Sequence, residues 1–490
     1  MTQFPLKANE PPNHSEATRK LAAFTEFQKN YPNYRTTQVL DELRVSEYSR
    51  LDRQRHTYLD YTGGGQYAEF QLREHMALLG ESVFGNPHSH NLTSLAMTDL
   101  VEQTRAYVLK FFNASPDEYV AIFTPNATGA LRLVGEAYPF NNASHLLLSF
   151  DNHNSVNGIR EFARTKGARI TYTPVRPPDL RLDGVRLGEY LNLTNPKGHH
   201  LFAYPAQSNF SGVQHPLSLI EEARAKGWDV LVDCASFVGT NRLDLSRYHP
   251  DFVPISFYKM FGYPTGLGCL LARRSALGKL RRPWYAGGTI TFSSVQGEGH
   301  YLTPGEAGFE DGTINYLSIP AARIGLEYLT KVGVEIVHQR VTTLTGWLLE
   351  QLAALRHRNG LPLARIYGPL GNHMRGGTVQ FNFYDPAEQL VNGYAVERIA
   401  NRQRISIRTG CHCNPGAREI ALGFTREEMQ QCFMDKERMT YEQFLVIIDG
   451  KTTGAMRVSL GLPSNFSDVW RFVEFARQFR DKSAAEIETL

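Results

Sequence analysis

The sequence has few cysteines, little net charge and no long apolar run, and each shortage closes off a class of protein. Five cysteines stand among 490 residues, at 234, 269, 411, 413 and 432. An odd number so unevenly spread argues against a disulfide framework, and reduced thiols are expected. A formal net charge of +3 is small for this length and gives no electrostatic reason to expect nucleic acid as a partner. No apolar run approaches the ~18 residues that a bilayer span needs. Met1–Glu10 shows no basic segment followed by an apolar core, so a cytoplasmic protein with no membrane partner is expected. The chain carries no internal repeat or low-complexity segment.

The length suggests two or three domains of ~100 to 200 residues each. From Val120 to Ala272, short β-rich runs alternate with helical patterns: 120–124, 145–149, 169–173, 200–204, 230–233 and 268–272. Such alternation predicts an α/β fold with a mostly parallel sheet covered by helices. After about residue 330 the pattern changes to a long helical stretch, 321–355, then strand-like runs at 378–383, 405–408 and 455–460 and a helix over 467–479. The division that follows is an arm or part of a small domain over 1–45, a large domain over 46–330, and a small α+β domain over 331–490.

Functional groups in parallel sheets gather beyond the carboxyl ends of the strands, and Thr124, His153, Asp233 and Lys259 all fall at or just past such ends. Lys259 lies in Ser256-Phe-Tyr-Lys-Met-Phe-Gly262, after the apolar run 252–257. A lysine there either snorkels into solvent or reacts. Asp233 ends an apolar strand, where its charge needs a partner such as a pyridinium nitrogen, or where it caps a helix. Thr124-Pro-Asn-Ala-Thr-Gly-Ala-Leu131 passes from strand to helix, so the free N–H groups at Ala127 and Thr128 and the Thr128 hydroxyl suit a phosphate. His153 suits stacking on a flat ring. A pyridoxal ring needs an imine-forming lysine, a carboxylate for its nitrogen, a stacking group and phosphate donors, and the chain offers a candidate for each. Cys411-His-Cys413 clusters three possible zinc ligands, but no second distant cluster accompanies it, so no metal is expected.

Several segments together resemble the fold-type I, class V aminotransferase group, within it the cysteine desulfurases and especially the amino-terminal domain of molybdenum cofactor sulfurases. They are Tyr58-Leu-Asp-Tyr-Thr-Gly-Gly-Gly65, Gly85-Asn-Pro-His-Ser89, Tyr204-Pro-Ala-Gln-Ser-Asn-Phe-Ser-Gly212, the Lys259 segment, Phe309-Glu-Asp-Gly-Thr313 and Arg408-Thr-Gly-Cys-His-Cys-Asn-Pro-Gly416. The resemblance covers about residues 55 to 475 and implies pyridoxal 5'-phosphate as cofactor. It implies Lys259 as the Schiff-base lysine, Asp233 as partner of the ring nitrogen, Ser236 beside the ring hydroxyl and His153 on the ring face. Thr128, Ser256 and Tyr258 are implied phosphate contacts, with Tyr258 standing where many desulfurases carry histidine. Thr313 is implied to reach the phosphate from the other subunit of a homodimer. Asn209 and Arg408 are implied to orient the substrate, Arg408 gripping its α-carboxylate, with Arg457 a second cation in a similar setting. Cys413 is implied as the persulfide-forming nucleophile, its thiolate helped by His412, Arg408 or the cofactor.

The implied reaction takes sulfur from L-cysteine, leaves alanine and passes the sulfur to an acceptor. Molybdenum cofactor sulfurases commonly continue into a second domain, and their cysteine loop tends to carry a further cysteine where Arg418 stands here. The acceptor therefore stays open among the molybdenum cofactor, a protein and a small molecule. The competing readings are another pyridoxal-dependent C–S or selenocysteine lyase, a class V aminotransferase, and a non-catalytic sulfur-transfer partner.

Overall fold

A computed structural model describes residues 14–87, 89–433 and 454–490. His88, within one of the quoted segments, lies outside the described residues. Seven strands form one sheet in the spatial order Tyr119–Thr124, Gly268–Arg273, Phe252–Ser256, Asp229–Asp233, His200–Pro205, His145–Ser149, Arg169–Thr173. Gly268–Arg273 runs antiparallel to both neighbours, and the other neighbours pair in parallel. The strands read as apolar runs because both faces are covered. Along Tyr119–Thr124, Ala121 and Phe123 enter one core while Val120 and Ile122 enter a second on the other face. This is the α/β architecture that the alternating pattern predicts.

Strand direction decides where chemistry gathers. Thr124, Ser149, Pro205, Asp233 and Ser256 all end strands at one edge, and Gly268, which starts the returning strand, lies opposite both Thr124 and Ser256. The segments just beyond that edge carry Thr128, His153, Asn209, Ser236 and Lys259.

A second, four-stranded antiparallel sheet has the order Ala364–Tyr367, Thr378–Phe383, Ala455–Ser459, Arg408–Gly410. Gln380 and Arg408 flank Arg457 in register, so the three side chains share one face. The run 405–408 is divided: Ile405–Ser406 pairs in parallel with Thr57–Tyr58, and Arg408 begins the strand beside Ala455–Ser459. The helical stretch 321–355 is likewise two helices, Ile319–Val332 and Val334–Ala354, because Gly333 adopts φ +87 and ends the first. The helix His14–Asn30 is anchored by Phe27, fully buried against Tyr34, Trp347 and Phe466. It thereby packs on elements from the C-terminal third of the chain.

Candidate active site

Ala127, Thr128, His153, Asn209, Asp233, Ser236, Ser256, Tyr258 and Lys259 line one pocket at the strand-end edge of the large sheet. The pocket encloses about 600 Å³ of empty space, part of it open to solvent. Lys259 is carried by a five-residue helix, Phe257–Phe261, whose apolar members Phe257, Met260 and Phe261 are buried. That packing fixes the backbone of an otherwise flexible side chain and leaves Lys259 half-buried at the pocket wall.

Asp233 is buried, and its Oδ1 accepts the Ala235 N–H at 3.0 Å. Across the pocket, the helix Ala127–Ala137 begins with an Asn126 cap that accepts the Gly129 N–H. Thr128 Oγ1 lies 2.9 Å from Ser155 Oγ, so hydroxyls from two segments meet beside the helix N-terminus. His153 Nδ1 accepts the Ser155 N–H at 3.1 Å, which leaves the proton of the neutral ring on Nε2. Burial lowers the His153 pKa; Asp233 pulls it back up, while Lys259 and Arg457 push it down.

The arrangement fits pyridoxal phosphate on its own terms. A helix N-terminus with two hydroxyls at one end of the pocket suits a dianionic phosphate, a buried carboxylate suits a protonated ring nitrogen, and a neutral imidazole suits the ring face. Gln207 and Ser155 also line the pocket, and the sequence motifs give neither a role. Ser155 lies two residues past His153, and Gln207 two residues before Asn209. No period or charge pattern marks either.

Four expected residues, Arg408, Arg457, Thr313 and Cys413, lie outside that wall. Arg408 and Arg457 sit side by side on the smaller sheet, and both bond to Asp60. Arg408 donates from Nε and Nη2 at 2.6–3.1 Å, and Arg457 from Nη2 at 2.9 Å. Arg457 is buried and reaches the pocket through Asn209, whose carbonyl accepts from its Nη1 at 3.0 Å. Thr313 lines a separate pocket with Pro125, Gly129 and Arg132, not the Lys259 pocket of its own chain.

Cys413 lies on a turn that four contacts pin to the large sheet. The Asn414 N–H donates to the Cys411 carbonyl, and His412 and Cys413 between them both have φ +54. Two successive left-handed residues are ordinarily supplied by Asn-Gly, and forcing side-chain-bearing residues there costs about 1 kcal/mol or more each. The pins offset that cost. The Asn154 N–H donates to the Cys413 carbonyl at 2.7 Å, next to His153. Asn209 Nδ2 donates to the His412 carbonyl at 2.6 Å, and Asn414 Nδ2 to the Asp151 carbonyl at 2.7 Å. At Gly416 a Cβ would stand 1.9 Å from the Phe150 carbonyl oxygen, so only glycine lets the loop approach.

His412 does not serve the thiol. Its Nε2 donates to the Ala455 carbonyl at 3.1 Å inside the smaller sheet, and burial lowers its pKa well below the usual value. It is uncharged at neutral pH. Cys411 and Cys413 are exposed, whereas Cys234 and Cys269 are buried with thiol pKa values pushed up by burial. Among the described residues, no group of three or more His, Cys, Asp or Glu is placed to hold a metal ion.

The family model described as Aminotransferase class-V matches residues 57–472. The chain is 36% identical over 487 residues to the molybdenum cofactor sulfurase of Solanum lycopersicum, covering 92% of this chain and 58% of that protein. It is 37% identical over 471 residues to the protein of that name from Homo sapiens, covering 91% and 52%. The chain thus spans little more than half the length of these curated relatives. In fold it is similar to the cysteine desulfurase of Thermococcus onnurineus NA1, with TM-score 0.73, 22% identity and coverage of 89% and 97%. It is also similar to the cysteine desulfurase CsdA of Escherichia coli, with TM-score 0.71, 19% identity and coverage of 91% and 98%.

Proposed function

Because this chain belongs to the class-V aminotransferase family, we propose that it is a pyridoxal phosphate-dependent cysteine desulfurase of the molybdenum cofactor sulfurase type. It takes sulfur from L-cysteine as a persulfide on Cys413 and releases alanine. One observation carries this reading: the exposed thiol at Cys413 is carried on a turn hydrogen-bonded to Asn154, beside the pocket that holds His153 and Lys259. An aminotransferase needs no such thiol.

When bound, pyridoxal phosphate supplies an electron sink for charge developing at the substrate Cα. The chain supplies the rest. The helix N-terminus at Ala127, with Thr128, Ser256 and Tyr258, would hold the phosphate, Asp233 would keep the ring nitrogen protonated, Ser236 would meet the ring hydroxyl and His153 would cover one face. Lys259 would hold the cofactor, and its free amine would take the Cα proton of the substrate. Asn209 and the Arg408–Arg457 pair orient the substrate carboxylate. The Cys413 thiolate attacks the substrate sulfur, forming the S–S bond as the C–S bond breaks. The carbon fragment leaves as alanine after protonation.

The homodimer belongs to the same proposal. The hairpin Ile290–Ser294 and Gly299–Leu302 exposes Phe292, Val295 and Tyr301, an apolar face suited to a second copy, and the exposed Thr313, outside the Lys259 pocket of its own chain, would be the residue that reaches a neighbour's phosphate. The name of the curated relatives makes the molybdenum cofactor the first acceptor to test.

The direct test incubates the holoenzyme with L-cysteine, quantifies alanine and maps the persulfide by mass spectrometry. Alanine with sulfur on Cys413, lost in Cys413→Ala, supports the proposal. Pyruvate plus ammonia would identify a lyase, and conversion of the cofactor to its amine form a transaminase.

A further inference from the structure

One carboxylate stands between the two arginines. Asp60 accepts from Nε and Nη2 of Arg408 and from Nη2 of Arg457. Arg408 is half exposed while Arg457 is only 3% exposed, with its Nε buried and without a hydrogen-bond partner. A cation so buried persists only if an anion stays beside it, and burial alone already pushes its pKa down. Asp60 is that anion, and its backbone is fixed on both sides. The Ser459 N–H donates to the Leu59 carbonyl, the Thr62 N–H donates to Ser459 Oγ, and the Gly65 N–H donates to the Tyr258 carbonyl in the Lys259 helix. One short segment therefore ties the arginines of the smaller sheet to the lysine of the larger one.

Building on the proposed reaction, we propose that Asp60 is the positioning residue of the substrate-carboxylate site. It clamps Arg408 and Arg457 together, and leaves the pair with one net positive charge for an amino acid carrying one α-carboxylate. Arg408 uses its Nε–Nη2 edge on Asp60, so its Nη1 side is the one presented to substrate. With Asp60 absent, the half-exposed guanidinium has many rotamers and the buried one has no counter-charge.

Steady-state kinetics of the holoenzyme with L-cysteine test this, using two variants. Asp60→Asn removes the charge. Gly63→Ala keeps every charge but places a Cβ 2.5 Å from Asp60 Oδ2 and 2.6 Å from Arg408 Nη2, which forces the pair apart. It remains informative even if Asp60→Asn fails to fold because Arg457 is left unpaired. Each is expected to raise KM about tenfold with kcat changed less than about threefold, the signature of lost substrate binding. In an Arg408→Lys background the further increase is expected to fall below about twofold, because Asp60 acts through Arg408. An unchanged KM in Gly63→Ala overturns the proposal, as does an undiminished effect in the Arg408→Lys background, which would mark a purely structural role. If the wild-type holoenzyme does not turn over L-cysteine at all, the underlying reaction is wrong and this inference falls with it.

Discussion

At the scale of single residues, the proposed function divides the labour between Lys259 and Cys413, and each has its own readout. Lys259→Ala is expected to abolish borohydride-stable attachment of pyridoxal to the chain and to lower alanine formation by at least ~10² to 10⁴-fold, the contribution of a positioned proton-transfer group. Cofactor attachment that survived this change would assign the imine to another lysine. Two buried histidines set an acid limit on stability. Burial lowers His145 to about 4, and lowers His412 well below its usual value. The unfolded chain protonates both near pH 6.5 while the fold does not, so the stability they contribute is present above that pH and is lost as pH falls from about 6.5 toward 4. Each costs up to about 1.4 kcal/mol per pH unit in that window. Thermal melts at pH 7 and pH 5 check the sign: the melting temperature should be lower at pH 5. Lysine, aspartate and histidine were legible in the sequence because strand ends mark them. Asp60 was not, since a lone acid ahead of three glycines announces nothing until the register sets Arg408 beside Arg457.

At the scale of elements, the cysteine turn matters most, because its left-handed residues are held by contacts from another part of the chain. Gly416→Ala is expected to unseat it, since the added carbon meets the Phe150 carbonyl rather than a movable side chain. The measured outcome should be a loss of persulfide on Cys413 by tenfold or more (about 1.4 kcal/mol per factor of ten), with the cofactor absorbance retained. Loss of both together would mean that the substitution disturbs the whole pocket. The strands of the large sheet were readable because apolar runs of that length, set between helical patterns, have few other uses. Only Gly333 divides what reads as one helix, and a glycine inside a helical pattern signals a break only weakly.

At the scale of the whole molecule, the fold sets the candidate site of the larger sheet beside the arginines of the smaller one and leaves an apolar hairpin exposed. A dimer mass by light scattering is the expected result. Charged substitutions at Phe292 and Tyr301 should shift it toward monomer and weaken cofactor retention, if Thr313 serves the neighbouring pocket. A monomer with full cofactor occupancy would remove that role. The sequence by itself determined the α/β class, the sheet that carries Asp233 and Lys259, and the family, because these follow from local periodicity and from contiguous motifs. Only the tertiary structure decided that Asp60 joins the two arginines, that His412 turns into the smaller sheet instead of serving Cys413, and that the Cys413 turn is pinned beside His153. The reason is physical: these are contacts between residues far apart in the chain, fixed by strand register and close backbone approach, and no local pattern encodes the distance between them.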